Sequence, residues 1–214
     1  MESLFHEEIA RGTGAMKKLW GSTVIVCGAG ALGGNLLENL AKSGLGTLIV
    51  IDDDRIEKRN ISTQPYGERE IGMQKVKALG NRIYKDIANN IQMHAVRLTQ
   101  DNVCKLIDTK CLVPRVVVDT FDNSVSRQIV AKHCGAYHIP CLHAGMVDGY
   151  SEVVWNEEYT LPGEANDDVC DYPLARNLAV ATAAFAAEAV IRFFLDDTKL
   201  SVSFTLGDLR TGRA

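Results

Sequence analysis

Apolar runs and helical patterns alternate along the first two thirds of this 214-residue chain. Residues 22–28 read STVIVCG, a run that is short, apolar and rich in β-branched side chains, as buried parallel strands are. A helical pattern follows over residues 32–42, and residues 46–54, GTLIVIDDD, form a second apolar run that ends in acids. Strand, helix and strand in this order predict a βαβ unit.

The same alternation continues beyond a polar connection. It predicts, in chain order, a helix at 74–88, a strand at 91–98, a short helix at 103–107, a strand at 115–121, a helix at 124–137 and a strand at 139–145. The predicted fold class is therefore α/β, with a doubly wound, mostly parallel, Rossmann-like sheet. Ligands of such sheets bind at the carboxyl ends of the strands.

The two ends of the chain have a different character. Residues 1–21 predict an N-terminal helical segment, and the partial alternation in residues 150–161 predicts an antiparallel C-terminal extension of the sheet. Residues 162–173 are rich in Pro, Gly and Asp and predict a long functional or crossover loop. A helix over residues 175–195 is apolar almost all round, as expected in a core or at a subunit contact. We expect a single domain over residues 1–214.

Composition and charge exclude several classes of partner. A net charge of −4 gives no basic field for binding phosphates, so no nucleic-acid partner is expected. Because the N-terminus has no signal-peptide core and no charge-free apolar run reaches membrane-spanning length, we expect a cytoplasmic protein with no membrane partner. The six cysteines include no C-x-x-C pair, which indicates free thiols and no structural zinc. Cys27 and Cys104 are predicted to be inert core thiols.

A glycine motif lies between the first predicted strand and the first predicted helix that follows it. Gly28, Gly30 and Gly33 form G-x-G-x-x-G, which allows a tight turn and presents the N–H groups of a helix N-terminus to a phosphate. Asp52 follows Gly33 by 19 positions, where a carboxylate accepts hydrogen bonds from ribose hydroxyls. These residues predict a site for an adenosine nucleotide, without separating NAD from ATP.

Four further polar residues follow predicted strands. Asn60 and Gln64 lie after the second strand, Lys75 is near the start of the next helix, and Asp122 follows VVVDTF. A lysine placed there neutralises a leaving pyrophosphate, and a carboxylate across the site holds Mg²⁺, so the set favours ATP. Each residue also has a structural interpretation: Lys75 as a solvated helix residue, Asn60 as a turn former, and Asp122 as the N-cap of the following helix.

Four motifs stand in order along the chain: GAGALGG, IDDDRIEKRNISTQ, GMQKVKAL and DTFDNSVSRQ. Over residues 24–145 they resemble the ThiF/MoeB superfamily, the adenylating domains shared with ubiquitin-activating (E1-like) enzymes, and within it the compact stand-alone bacterial ThiF branch. The helix around Glu188 is also similar to a helix of the family. This resemblance implies ATP- and Mg²⁺-dependent adenylation of a carboxylate, usually the C-terminal glycine of a ubiquitin-like or sulfur-carrier protein that ends in Gly-Gly.

The resemblance also implies roles for individual residues: ribose binding by Asp52, support of the nucleotide pocket by Asp54, phosphate contacts by Asn60 and Lys75, and Mg²⁺ ligation by Asp122. Arg127 matches the arginine of the family's DNxxxR stretch. A homodimer is expected on the same basis. Because a terminal carboxylate is ionised at neutral pH, this chemistry needs no general base.

The chain departs from the family pattern at three places. Thr63 stands where the family usually has an arginine, so one cationic phosphate contact is missing. The family's N-terminal arginine has no clean match, and Arg11 is the candidate substitute. The paired C-x-x-C zinc motifs of the molybdopterin and thiamin branches are absent. Some relatives transfer the acyl group to a cysteine, and Cys170 in the long loop is the candidate here, although its acidic neighbours should raise its pKa.

Other interpretations stay open. The stretch HCGAYHIPCLH places Cys141 and His143 on one face of a strand, as a metal site would, although ordinary packing is favoured. Asp52 also permits an NAD-dependent oxidoreductase. Adenylation of a carboxylate on a modified tRNA nucleoside is a third function, which the acidic net charge disfavours. A non-catalytic partner subunit is a fourth, which the complete set of Gly, Asp and Lys motifs disfavours.

Overall fold

The computed structural model of the chain describes residues 2–108, 115–161 and 173–214. Cys170 and residues 162–172 of the expected long loop lie outside this part of the chain, so the predictions made for them stay predictions. The described residues form seven α-helices: α1, Phe5–Arg11; α2, Thr13–Trp20; α3, Ala31–Lys42; α4, Lys75–Ile87; α5, Val103–Ile107; α6, Ser124–Ala136; and α7, Arg176–Asp196. Three single-turn 3-10 helices lie at Glu2–Leu4, Lys58–Asn60 and Glu68–Glu70.

The strands of the described residues form one sheet. They are β1, Thr23–Cys27; β2, Thr47–Ile51; β3, Gln92–His94; β4, Arg115–Asp119; β5, Cys141–Val147; β6, Tyr150–Trp155; β7, Val202–Thr205; and β8, Arg210–Gly212. Their order across the sheet is β3-β2-β1-β4-β5-β6-β7-β8. The pairs from β3 to β5 are parallel, and those from β5 to β8 are antiparallel. The predicted fold class, a doubly wound sheet with an antiparallel C-terminal extension, is confirmed.

Successive residues of β1 show how the sheet is covered on both faces. Val24 and Val26 belong to an apolar cluster shared with α3, α4 and α7, whereas Ile25 and Cys27 belong to a second cluster shared with α5 and α6. Since neighbouring side chains of a strand point to opposite faces, the two clusters are the two helix layers of the fold. All five β1 residues are buried, as the uninterrupted apolar run predicts.

The connections from β1 determine where a ligand can bind. Strand β1 pairs with β2 on one side and with β4 on the other. Strands β2 and β3 therefore extend the sheet in one direction from β1, and β4 and β5 extend it in the other. A crevice forms at such a switch point, beyond the carboxyl ends of the strands. The turns that follow β1, β2 and β4 therefore meet at one edge of the sheet.

Two parts of the sheet differ from the sequence-based expectation. The strand predicted over 91–98 is only Gln92–His94, because the chain leaves the sheet at Ala95. The C-terminal strands β7 and β8 were not predicted, since they are short and mostly half-buried or exposed and so lack a strong apolar pattern. The antiparallel partner predicted over residues 150–161 is β6.

Helix α7 is the long apolar helix near the C-terminus. It packs against α3, β5 and β6, and its small buried residues include Ala179, Ala183, Ala186 and Ala187. By length and composition alone this helix could also cross a membrane, and half of its most apolar window is buried inside the protein. Core helices share these properties, and the expected core position is where the structure places α7.

Candidate functional site

A cavity of about 190 Å³ opens at the carboxyl edge of the parallel strands. Its walls come from five turns and helix starts: Gly28 and Gly30 after β1, Asp52–Asp54 after β2, Lys75 in α4, Arg97 and Leu98 after β3, and Thr120–Asn123 with Ser126 at the start of α6. Six of the predicted site residues thus line one cavity: Gly28, Gly30, Asp52, Asp54, Lys75 and Asp122. The fold brings them together because the turns after the parallel strands meet at this edge, where α4 also begins.

Glycine occupies the three positions of the motif for different structural reasons. Gly28 has φ +105°, and a Cβ added there would lie 2.7 Å from Oγ1 of Thr120. A Cβ on Gly33 would lie 2.0 Å from the carbonyl oxygen of Gly28, so close packing of α3 on the turn requires glycine. A Cβ on Gly30 would meet no protein atom within 4 Å, although Gly30 lines the cavity. Its missing side chain leaves room for a ligand instead.

Asp52 is held rigidly at the end of β2. Its Oδ2 accepts a 2.7 Å hydrogen bond from the backbone N–H of Ala29, and its Oδ1 accepts another of 2.7 Å from the N–H of Asp54. Burial raises the pKa of this carboxyl group, while Lys75 and the two backbone N–H groups oppose the rise. Because each oxygen keeps a second lone pair, the carboxylate can still accept hydrogen bonds from a ligand.

Lys75 and Asp54 form a pair at the start of α4. The ammonium group lies 2.7 Å from Oδ2 of Asp54, and the backbone N–H of Lys75 donates to the carbonyl oxygen of Asp54 at 3.0 Å. The Lys75 side chain is 7% exposed, so the interpretation as a solvated helix residue is wrong. A buried ammonium that faces a cavity is well placed to meet an anion.

Asp122 lies exposed at the mouth of the cavity. The residue that caps α6 is Asn123, whose Oδ1 accepts a 2.8 Å hydrogen bond from the N–H of Ser126. The interpretation of Asp122 as the N-cap is therefore wrong. Among the described residues, the Asp122 side chain has no hydrogen-bond or ion-pair partner, so its carboxylate is available to a ligand or metal ion.

The carboxylates around the cavity suit a hard cation. Four acids line it, Asp52, Asp53, Asp54 and Asp122, against the two cations Lys75 and Arg97 of the described lining. One oxygen from each of the three consecutive aspartates lies within 4.8 Å of the others. Mg²⁺ prefers oxygen ligands and keeps several waters, so the residues present fit this ion.

Two predicted phosphate contacts lie outside the lining of the cavity. Oδ1 of Asn60 accepts a 2.8 Å hydrogen bond from the N–H of Glu57 and closes the turn Lys58–Asn60, which confirms its interpretation as a turn former. Oε1 of Gln64 is buried without a hydrogen-bond partner among the described residues. A phosphate role for Asn60 or Gln64 stays a prediction.

Arg127 lies behind the cavity wall and is buried. Its Nε donates to the carbonyl oxygen of Phe121 at 2.6 Å, and its Nη2 donates to that of Ala144 at 2.7 Å. Its Nη1 donates to the hydroxyl of Tyr159 at 3.2 Å and lies 3.9 Å from a carboxylate oxygen of Asp119. These contacts fix the turn that carries Asp122, and a direct nucleotide contact by Arg127 stays a prediction.

Arg11 does not line this cavity. It forms ion pairs with Glu7 at 2.7 Å and with Glu188 at 2.9 Å, beside a second cavity of about 290 Å³ between α1, α3 and α7. The structure thus brings Arg11 to α7 of its own chain. The role suggested for it at the nucleotide site stays a prediction.

The buried cysteines and His143 form a closed polar group. His143 Nδ1 lies 2.9 Å from Oδ2 of the fully buried Asp119, and Nε2 lies 2.8 Å from Oδ1 of Asn156. Cys141 Sγ lies 3.6 Å from the same Nε2, and burial raises the pKa of its thiol well above the usual range. Ordinary packing therefore describes the pair Cys141 and His143, as favoured from the sequence.

The two cysteines predicted to be inert core thiols differ. Cys27 is fully buried, and burial raises its thiol pKa well above the usual range, which confirms the prediction. Cys104 is exposed on α5, so the prediction is wrong for this residue. Its apolar neighbours Val103 and Leu106 are buried on the core side of the helix, and Cys104 faces solvent.

Arg97 and Thr120 are cavity residues that sequence reasoning missed. Arg97 comes just after β3, and Thr120 comes just after β4. The hydroxyl of Thr120 donates to the carbonyl oxygen of Cys27 at 2.9 Å and so ties the β4 turn to the glycine turn. Position after a strand was the available signal, but the overlong prediction for β3 hid it for Arg97.

Known proteins resemble this chain in sequence. The model of the ThiF family matches residues 5–186. The SAMP-activating enzyme E1 of Haloferax volcanii is 28% identical over 164 residues, which are 75% of this chain and 54% of that protein. The sulfur carrier protein ThiS adenylyltransferase of Bacillus subtilis is 29% identical over 143 residues, which are 65% of this chain and 41% of that protein. The chain thus spans about half the length of these curated relatives.

Solved structures agree in fold. The crystal structure of E. coli MccB with ATP matches with a TM-score of 0.77 at 18% identity, over 94% of this chain and 65% of that chain. At this identity the likeness concerns the fold alone. The family model covers most of the chain, from α1 to the middle of α7. The chain belongs to the ThiF family.

Proposed function

We propose that the chain catalyses the ATP- and Mg²⁺-dependent adenylation of a carboxylate. A carboxylate oxygen attacks the α-phosphorus of ATP, a new O–P bond forms, and the bond to the bridging oxygen of pyrophosphate breaks. The observation that carries this proposal is the buried Lys75 ammonium, which lies beside the cavity at the carboxyl edge of the sheet. A fixed cation there offsets the charge that accumulates on the leaving pyrophosphate.

The glycine turn fits a phosphate of ATP, and Asp52 fits its ribose. Helix α3 begins at Ala31, and its N-cap Gly30 makes no side-chain hydrogen bond to the free N–H groups of the first turn. Those N–H groups and the positive end of the helix dipole favour a phosphate. Asp52, held by two backbone N–H groups, would accept hydrogen bonds from the ribose hydroxyls.

Charge neutralisation is the main catalytic task in this proposal. Both reactants are anions, and a carboxylate ionised at neutral pH needs no general base. Lys75 and Arg97 supply positive charge from the protein, and Asp122 would hold Mg²⁺ at the mouth of the cavity. The metal, when bound, neutralises phosphate charge and favours in-line geometry. The Lys75–Asp54 ion pair holds the lysine side chain beside the cavity before the nucleotide binds.

The acceptor that we propose is the C-terminal glycine of a ubiquitin-like or sulfur-carrier protein ending in Gly-Gly. Support comes from the names of two relatives, a SAMP-activating enzyme E1 and a ThiS adenylyltransferase. An extended protein tail suits a cavity whose mouth is open at Asp122, since a narrow C-terminus can reach the α-phosphate while its folded part stays outside.

Direct binding separates this function from the oxidoreductase that Asp52 alone would permit. Calorimetric titration of the chain should give ATP with Mg²⁺ a Kd at least tenfold lower than that of NAD. Addition of a carrier protein should then yield its acyl-adenylate, detected by mass spectrometry of the intact carrier. Tighter binding of NAD than of ATP, or no adenylate with any Gly-Gly carrier from the source, would contradict the proposal.

A further inference from the structure

Helices α5 and α6 bring a thiol, a carboxylate and an imidazole together on the face of the sheet that Ile25 and Cys27 also line. Cys104 lies in α5, Asp108 is the first residue after α5, and His133 lies in the second half of α6. One ligand atom from each, the sulfur, a carboxylate oxygen and a ring nitrogen, lies within 4.8 Å of the other two. None of the three lines the nucleotide cavity or takes part in the adenylation chemistry described above.

The arrangement follows from helix geometry and apolar packing. Asp108 donates its backbone N–H to the carbonyl oxygen of Cys104 at 2.9 Å, so the two side chains are one helical turn apart on one face. Val103 and Ile107 of α5 share an apolar cluster with Val130 of α6. This packing holds His133 opposite the pair, so the three ligand atoms converge without a contribution from any bound ion.

The local charges and exposures suit an ion that enters from solvent. His133 Nε2 lies 3.0 Å from Oδ1 of Asp108, and its side chain is 3% exposed. Cys104 is exposed, so an ion can reach its sulfur from solvent. The guanidinium of Arg115 is 3.8 Å from the same Oδ1, a long ion pair beside the proposed ligands.

We propose that Cys104, Asp108 and His133 bind a divalent transition-metal ion, with Zn²⁺ as the ion that fits best. Sulfur, nitrogen and carboxylate oxygen together are typical zinc ligands, whereas Mg²⁺ avoids sulfur. On binding, the Cys104 thiol releases its proton to solvent and binds as the thiolate. Nε2 of His133 donates to the Asp108 carboxylate in the metal-free chain, so it must release that hydrogen before its lone pair binds the ion; the neutral ring then carries its hydrogen on Nδ1. Water completes the coordination.

This site differs from linear zinc-binding motifs such as paired C-x-x-C. The absence of C-x-x-C pairs led to the expectation of no structural zinc, but the proposed ligands come from α5, its C-cap and α6, and His133 follows Asp108 by 25 positions. Such spacing follows no linear motif. The bound ion would tie α5 to α6, at a position two helical turns from the α6 residue that lines the nucleotide cavity, Ser126.

Co²⁺ titration of the whole chain, without nucleotide or carrier protein, tests the proposal. Thiolate ligation gives a sulfur-to-cobalt charge-transfer band in the near ultraviolet, which carboxylates around the other cavity cannot produce. We expect this band to saturate at one equivalent and to disappear when Zn²⁺ is added. Cys104→Ser should abolish it, and His133→Gln should weaken Co²⁺ binding at least tenfold. Zn²⁺ should also raise the melting temperature of the unmodified chain by about 5 °C.

Matched cysteine variants make the result specific. Cys111→Ser and Cys170→Ser remove thiols outside the described residues and should keep the band. Because Cys104 is exposed, Cys104→Ser should fold with an unchanged circular dichroism spectrum. Absence of the thiolate band in the unmodified chain, its persistence in Cys104→Ser, or its loss in Cys111→Ser would overturn the proposal. None of these outcomes depends on adenylation, so the two proposals fail separately.

Discussion

Arg127 shows at the residue scale how a side chain outside the cavity serves it. Its guanidinium binds the carbonyl oxygen of Phe121, while the backbone N–H of Phe121 donates to Oδ1 of Asp119 at 3.1 Å. The backbone carbonyl and N–H groups of Phe121 are therefore both fixed, one position before Asp122. Asp119 is completely buried and also lies against His143. The position of Asp122 thus depends on a buried charge group behind it.

Arg127→Met should destabilise the fold by about 3–5 kcal/mol, because it leaves the buried Asp119 without its cation and two carbonyl oxygens without a donor. Equilibrium urea unfolding measures this loss. Arg69→Met, at an exposed arginine, is the control and should change the free energy of unfolding by less than about 0.5 kcal/mol. A loss below about 1 kcal/mol for Arg127→Met would show that the buried group contributes little.

At the scale of elements, the turn between β1 and α3 combines two requirements. Gly28 and Gly33 are needed for the chain to fold, because side chains there would collide with Thr120 and with backbone. Gly30 has no such neighbour, so its lack of a side chain matters only if a ligand approaches. The motif in the sequence does not distinguish these cases, since all three positions carry the same residue.

Gly33→Ala should therefore affect folding, whereas Gly30→Ala should affect ATP binding. Gly33→Ala should lower the free energy of unfolding by about 3 kcal/mol or more, since the added Cβ meets a carbonyl oxygen at 2.0 Å. Gly30→Ala should fold normally and raise the Kd for ATP about tenfold. Thermal unfolding and calorimetric titration of both variants give the answer. Normal ATP affinity in Gly30→Ala would place the phosphates elsewhere.

The ion pair between Arg11 and Glu188 connects α1 to α7. Burial raises the pKa of Glu188, but hydrogen bonds from Arg11 and Arg192 outweigh it, and the pKa is lowered overall. A carboxyl group whose folded pKa is lowered stabilises the protein above its unfolded pKa, near 4.3. That contribution is lost as the pH falls through the folded pKa. The effect is small, because the Glu188 side chain is 42% exposed.

Glu188→Gln should therefore lower the urea midpoint slightly at pH 7, and the difference from the unmodified chain should shrink as the pH falls below the unfolded pKa and vanish once it is below the lowered folded pKa. Unfolding curves at several pH values measure both. Glu68→Gln, at an exposed glutamate, should match the unmodified chain throughout. A difference that grows at low pH would mean that another group governs the titration.

At the scale of the whole molecule, the sequence predicted the centre of the sheet better than its edges. Strands β1 and β2 are uninterrupted apolar runs, so their type and place follow from pattern alone. Strand β3 has only three residues, and β7 and β8 are half-exposed or exposed, so local pattern did not define them. Their formation depends on pairing with strands already in the sheet.

The site, like the sheet, was predicted from the sequence only in part. Residues after central strands, such as Asp52 and Asp122, were found because strand ends share one edge of a parallel sheet. The burial of Lys75 beside Asp54 was not predictable, since it depends on the path of the 20 residues between them. The tertiary contacts of Arg127 were hidden for the same reason. The expected homodimer stays a prediction, which sedimentation at several concentrations would test.

The proposed role of Lys75 is tested by ATP–pyrophosphate exchange with the carrier protein and Mg²⁺, compared between the unmodified chain, Lys75→Ala and Lys77→Ala. Lys77 is exposed on the same helix and serves as the matched control. We expect Lys75→Ala to lower the exchange rate at least about 100-fold, as loss of a charge-stabilising group does, and Lys77→Ala to keep it within about twofold. Because the paired Asp54 side chain is 63% exposed, Lys75→Ala should still fold. Equal exchange by Lys75→Ala and the unmodified chain would contradict the central claim.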